Sequence, residues 1–203
     1  MKLGIEKMEF PFYKEILKIF YGKEVNSNFK SINKISIIGG PGTGKSTLAN
    51  NLGKELKLPI YHLDGIHYLD NWKMRNQEER DKIFLDLVNE NKWVIDGTYK
   101  STLEKRVEKS DMVIFLNYST LAKLKGIFSR YHKTKGKERP EIPGCKENMN
   151  LEFIKLTINW NKTKRKLICE ILEKNKDKKV IVFKNRRSLN KWYKNEFKKK
   201  IEV

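Results

Sequence analysis

At 203 residues, with 38% hydrophobic and 34% charged side chains, the chain has room for one domain with an appendage, and its net charge is +19. No run approaches 18 apolar residues, which excludes a spanning helix, and acids interrupt the apolar N-terminus, unlike a signal peptide. Cys145 and Cys169 are far apart and His62, His67 and His132 lack ligand spacing, which argues against a zinc site and suits a reducing cytoplasm.

Residues 1–33 read as an extension to the main domain, residues 34–203. Pro11 can open a helix with Phe12, Ile16, Ile19 and Phe20 on its apolar side, and a polar stretch over 23–33 follows. That helix would pack on the domain or serve as a partner-binding arm. The first strand is expected at 34–38, directly before residues 39–47, GGPGTGKST. They contain G-x-x-x-x-G-K-[ST], the phosphate loop. Its glycines allow backbone angles that side chains forbid, so that successive N–H groups can converge on phosphate oxygens. Gly39, Gly40, Pro41, Gly42, Thr43, Gly44, Lys45, Ser46 and Thr47 are therefore the candidate nucleotide-binding residues. Lys45 would reach the β- and γ-phosphates, and the Ser46 hydroxyl would hold Mg²⁺. A helix over 46–56, with Leu48, Leu52 and Leu56 on one face, completes the strand–loop–helix context and turns its positive end to the phosphates.

A second strand over 58–63 is expected to end at Asp64, and a third over 93–96 at Asp96. Ligands of open α/β sheets sit at the carboxyl ends of the strands. Asp64 could take a proton from an acceptor hydroxyl or orient an acceptor phosphate, or could be a helix cap or turn residue. Asp96, before Gly97, is a candidate for Mg²⁺ held through water, or a turn starter. Further strands are expected at 112–116 and 180–184, with helices at 77–89, 101–108, 121–132, 151–173 and 189–199. Strands alternating with helices imply a three-layer α/β/α sandwich around a parallel five-stranded sheet.

Residues 133–148, rich in Gly, Pro and charge, read as a mobile basic loop. Arg130, Lys133, Lys135, Lys137 and Arg139 flank or occupy it, and a closing loop with arginines suits charge stabilisation in phosphoryl transfer. Arg130 would equally suit an ordinary helix C-terminus. Arg186 and Arg187 follow the last strand, near where a nucleotide base should sit. Trp72, Trp93, Tyr99 and Trp160 read as core or pocket lining rather than a base-stacking row. Charge is uneven: residues 1–116 carry 19 basic and 16 acidic side chains, net +3, and residues 117–203 carry 25 and 9, net +16. That half is either a diffuse polyanion-attracting surface or a set of solvated lysine-rich faces.

The series GGPGTGKSTLA, YHLDGIHYLDNW, WVIDGTY, a basic loop with ERP, and VFKNRRSLNKW resembles the small P-loop nucleotide kinases, the adenylate kinase-like group, over residues 34–195. More narrowly it is similar to the adenylate kinase-related bacterial proteins labelled DNA topology modulation proteins. The resemblance implies ATP as phosphoryl donor and a lid over the site. It assigns residues 39–47 to the ATP phosphates, Asp96 to the strand-end position of the DG motif, Arg130 and Arg139 to the lid and residues 184–188 to the adenine side. Adenylate kinases carry Phe-Pro-Arg after the DG pair. Here Thr98-Tyr99-Lys100 follows, which removes an arginine expected on the acceptor phosphate.

The function expected is an ATP- and Mg²⁺-dependent kinase of a small phosphate acceptor, nucleotide or nucleoside among the candidates, acting as a monomer or homodimer without membrane attachment. The alternative is an ATP-binding regulator that associates with nucleic acid, which the basic half would bind weakly and non-specifically. No helix-turn-helix or finger pattern accompanies it. An NTP-hydrolysing switch fits less well: an N-K-x-D motif is missing, and Gly97 rather than Glu follows Asp96.

Overall fold

The computed structural model describes residues 29–202. The helix expected around residues 11–20 lies outside them. Nine strands are described: β1 (Lys34–Gly39), β2 (Ile60–His62), β3 (Tyr68–Leu69), β4 (Lys73–Met74), β5 (Trp93–Asp96), β6 (Met112–Leu116), β7 (Glu138–Arg139), β8 (Ile142–Lys146) and β9 (Lys179–Phe183). The α-helices are α1 (Lys45–Leu56), α2 (Leu63–His67), α3 (Gln77–Asn89), α4 (Lys100–Lys109), α5 (Thr120–Thr134), α6 (Leu151–Lys174) and α7 (Arg186–Phe197).

Five strands form the expected parallel sheet, in the order β2-β5-β1-β6-β9. Period-two alternation divides their side chains between two cores. Ile35, Ile37, Met112, Ile114, Ile181 and Phe183 pack with Leu48 and Leu52 of α1 and Leu189 and Tyr193 of α7. Val113, Phe115, Val180 and Val182 face the other way, onto Leu103 and Val107 of α4 and Ile168 and Leu172 of α6. Trp93 and Ile95 pack with Leu63 and with Phe84 and Val88 of α3. These strands read as continuous apolar runs because both faces of the sheet are covered. Several helices start at side-chain caps that satisfy a free N–H. Asn76 caps α3, Ser119 caps α5, Asn150 caps α6 and Asn185 caps α7.

The structure corrects three expectations. The second strand stops at His62 and α2 begins at Leu63, so Asp64 lies in the first turn of a helix rather than at a strand end. The last helix, expected from residue 189, begins at Arg186, so Arg186 and Arg187 lie in its first turn. Residues 133–148 are not an irregular loop: α5 runs on to Thr134 and an antiparallel hairpin, β7–β8, follows. The hairpin buries Ile142 and Cys145, and Arg139 and Glu147 are buried with them. A second hairpin, β3–β4, joins α2 to α3. Two-residue strands offer too little periodicity to be seen in a sequence. Among the described residues no helix is long and apolar enough to cross a membrane.

Candidate active site

Sheet register gathers the site at one edge. Ile37 pairs with Asp96, His62 pairs with Asp96, and Gly39 pairs with Leu116. The glycine loop, Asp96 and the start of α2 therefore share the carboxyl end of the sheet. Two glycines are demanded by the loop's geometry. Gly42 has φ +70 and Gly44 φ +85, and a Cβ on Gly42 would sit 2.3 Å from the Lys123 carbonyl oxygen. From the other side, a Cβ on Gly126 would sit 1.9 Å from the Gly42 carbonyl oxygen, so α5 lies directly on the loop because residue 126 has no side chain. The Thr43 hydroxyl donates to the Gly40 carbonyl (2.8 Å), and the Thr98 hydroxyl lies against both backbone polar groups of Gly39.

Lys45 opens α1, and its ammonium donates to the Gly40 carbonyl at 3.0 Å. Burial pulls its pKa down. The nearby Asp64 and Asp96 carboxylates oppose that fall, and the Arg130 and Arg139 guanidiniums add to it. Four of the residues singled out from sequence therefore surround the fifth. The Ser46 hydroxyl donates to Asp96 Oδ2 at 2.9 Å, and His62 Nδ1 donates to Asp96 Oδ1. Burial raises the Asp96 pKa, but the His62 bond and charge, Lys45 and Ser46 outweigh it and hold the carboxylate below its ordinary range. Burial likewise opposes the His62 imidazolium, but Asp96, with Glu141 and Asp64 beyond, wins and raises it. Beneath this turn the buried Arg106 donates to the Gly97 carbonyl at 2.7 Å, and burial pushes its pKa down to about 10.

Asp64 accepts a hydrogen bond from the Tyr99 hydroxyl at 2.8 Å and lies 3.8 Å from Arg139. Arg139 also faces Glu141 at 3.7 Å and Glu147 at 3.8 Å, while Arg130 holds Glu147 at 2.9 Å. Glu147 is thus the buried anion that fixes both arginines. Lys133, Lys135 and Lys137 are exposed. The hairpin is fastened across the site to residues 69–72: Trp72 Nε1 donates to the Lys146 carbonyl (3.0 Å), the Trp72 N–H meets Cys145 Sγ (3.2 Å), and the thiol meets the Leu69 carbonyl (3.2 Å). On the opposite flank, Arg186 reaches within 2.6 Å of where a Cβ on Gly44 would lie, and Arg187 is exposed.

The loop fits a phosphate chain: glycines at positive φ at positions 42 and 44, a half-buried lysine and a following helix start. The Ser46 hydroxyl and the Asp96 carboxylate are hard oxygen donors, the type magnesium takes one or two of while keeping water and phosphate ligands. Among the described residues no group of three or more His, Cys, Asp or Glu could hold a metal by itself. Sequence reasoning missed His62, Glu147, Lys123 and Gly126. Their roles depend on neighbours brought close only by folding, 17 residues away for Glu147 and 38 for Lys123. Only the H-L-D spacing, which puts His62 beside the Asp64 turn, was a signal within the sequence.

A family model described as ATPase family associated with various cellular activities (AAA) matches residues 35–117. A 33-residue stretch is 52% identical to adenylate kinase 2 of Synechocystis sp. (strain ATCC 27184 / PCC 6803 / Kazusa), covering 16% of this chain and only 18% of that protein's length. The fold is similar to shikimate kinase from Acinetobacter baumannii in complex with shikimate (TM-score 0.52, 17% identity, 79% of this chain and 90% of that one). A gluconokinase from Sinorhizobium meliloti 1021 aligns at TM-score 0.47 and 13% identity, over 82% of this chain and 90% of that one. The architecture is the α/β fold of P-loop kinases.

Proposed function

We propose that the protein is an ATP-dependent phosphotransferase that moves a phosphoryl group to a small acceptor. One observation carries this reading: at the mouth of the glycine loop Lys45 donates to the Gly40 carbonyl at 3.0 Å and Ser46 to Asp96 at 2.9 Å, with Asp64 and Arg139 3.8 Å apart. Phosphoryl transfer asks a protein mainly for positioning and charge stabilisation, and this set provides both. Residues 39–47 would wrap the ATP phosphates, with the Lys45 ammonium on the β- and γ-oxygens. Ser46 and Asp96 would hold magnesium, which when bound would neutralise phosphate charge, and His62 orients the Asp96 carboxylate. Arg130 and Arg139, set by Glu147, would place positive charge over the transferring group. Arg186 and Arg187 flank the donor side, and Asp64 faces the acceptor. The hairpin with Arg139 acts as the lid and keeps water out.

The narrower resemblance to DNA topology modulation proteins favours a second reading, an ATP-binding regulator on nucleic acid, for which the +16 charge of residues 117–203 speaks. The kinase reading is preferred because acceptor-side groups such as Asp64 and Tyr99 have no use in a mere ATP sensor. A transfer assay with Mg·ATP tests it. Lys45→Ala and Ser46→Ala are expected to lose on the order of 10²-fold or more in rate with the thermal melt retained. A Lys45→Ala protein that binds ATP and transfers phosphate at the wild-type rate would refute the phosphate-loop assignment.

A further inference from the structure

The acceptor itself can be narrowed from the charges around Asp64. A phosphate acceptor arrives already ionised, needs cations to hold it and needs no base. A hydroxyl acceptor arrives neutral, needs a base at its oxygen and needs no cations. The side of the site beyond Lys45 is built for the second case. Its most open carboxylate is Asp64, whose side chain is 40% exposed, whereas Asp96 is 5% exposed and committed to Ser46 and His62. Tyr99 fixes the Asp64 carboxylate by a hydrogen bond to one oxygen and leaves the other facing Arg139 across 3.8 Å.

The arginines there are already spoken for. Arg139 is shared among Asp64, Glu141 and Glu147, and Arg130 is held by Glu147. Arg75 is bound to Glu79 and to the Ile66 carbonyl, and Arg80 to the His67 ring. A second phosphate set against Asp64 and Glu141 would meet like charge. Aromatic rings wall the same side: His67 stacks on Tyr99 with centroids 4.4 Å apart, and Tyr68 meets His67 edge-on at 4.8 Å. Such walls suit an uncharged carbon skeleton better than a phosphate.

We infer that the acceptor is a small hydroxyl compound carrying no phosphate, and that Asp64 is its general base. This rests on the kinase reading. The Asp64 carboxylate takes the hydroxyl proton. The acceptor oxygen bonds to the γ-phosphorus, the bond from that phosphorus to the β,γ-bridging oxygen breaks, and ADP leaves with the electron pair. The proton then passes from Asp64 to solvent. Tyr99 is a positioning residue.

The test gives the wild type Mg·ATP with, in separate arms, sugars and polyols, nucleosides, hydroxy acids and nucleoside monophosphates, and reads the products by ³¹P NMR. A new phosphomonoester in a hydroxyl arm is expected, with no diphosphate in the monophosphate arm. Asp64→Asn should lower that turnover by roughly 10²- to 10⁴-fold while Mg·ATP still binds. Conversion of monophosphates to diphosphates overturns the inference, as does an Asp64→Asn protein that transfers at the wild-type rate. Hydroxyl arms that all stay unphosphorylated while Mg·ATP binds overturn it too. A wild type that fails to bind Mg·ATP would instead remove the kinase reading beneath it.

Discussion

Lys123 has no exposed surface, yet it is a lysine. Its ammonium donates to Asn161 Oδ1 at 2.8 Å and lies 4.8 Å from the centre of the Trp160 ring, while its stem passes against Gly40 of the glycine loop. Burial pushes its pKa down from 10.5 to about 8, and the charges of Arg165 and Lys45 push the same way. The sign of the consequence follows from linkage. Below about pH 8 both folded and unfolded chains carry the proton, and the group costs the folded state a constant amount. Between about 8 and 10.5 the unfolded chain still binds the proton and the folded chain has released it, so stability rises with pH through that window. Lys123→Met removes this contribution and nothing else that titrates. Urea unfolding at about pH 7.5, 8.5 and 9.5 should show the wild type gaining on the variant as pH rises. A constant difference would mean that Lys123 keeps its proton throughout. α5 presses on the loop at two residues: Gly126 removes the steric obstacle beside Gly42, and the Lys123 stem lies against Gly40.

Among the elements, the β7–β8 hairpin is the one whose character sequence misjudged most. Its composition argued for mobility, but Ile142, Cys145 and Glu147 are each buried, and the Leu69–Trp72 backbone and the Trp72 indole bind it down. The fastening is local and polar, a few hydrogen bonds and the Arg139 guanidinium 5.8 Å from the Trp72 ring centre, so it can open without disturbing the sheet. Trp72→Ala deletes the indole bond and that ring face together. Amide exchange across residues 138–147 is expected to speed up by about tenfold, the equivalent of one net hydrogen bond of about 1 kcal/mol or slightly more, with β1 and β6 unchanged. Exchange equal to the wild type would place the fastening elsewhere, in the Arg130–Glu147–Arg139 cluster. Either way Arg130 and Arg139 depend on one buried carboxylate, since Glu147 is the partner they share.

At the scale of the whole molecule the net charge is +19, and among the described residues such ion pairs as Lys54–Glu202 and Lys174–Glu104 are exposed. Pairs of that kind contribute little to stability and are screened by salt. The field they leave should attract nucleic acid weakly and without sequence preference. Affinity for a random duplex is expected to fall by orders of magnitude between about 50 and 200 mM salt. Tight, sequence-selective binding at physiological salt would favour the regulator reading over the enzyme. The parallel sheet, by contrast, is insensitive to that field, because apolar faces packed on both sides hold it.

The sequence by itself determined the features that local chemistry enforces. Residues 39–47 need glycine where φ is positive, as at Gly42 and Gly44, so the loop is visible wherever the chain is read. Apolar runs at 34–38, 93–96 and 112–116, separated by helix-period segments, made a covered parallel sheet the consistent architecture, and Asp96 followed from its place at the end of one run. The tertiary structure alone decided what meets across the chain. Strand order puts β5 beside both β1 and β2, and this brings His62 and Ser46 to the two oxygens of one carboxylate. Tyr99 reaches Asp64 across 35 positions, and Glu147 reaches Arg130 across 17. Hydrogen bonds and ion pairs are set by distances between packed elements, and spacing along the chain does not encode those distances. For the same reason the glycine loop was legible in the sequence, whereas the carboxylate partners of Arg130 and Arg139 were not.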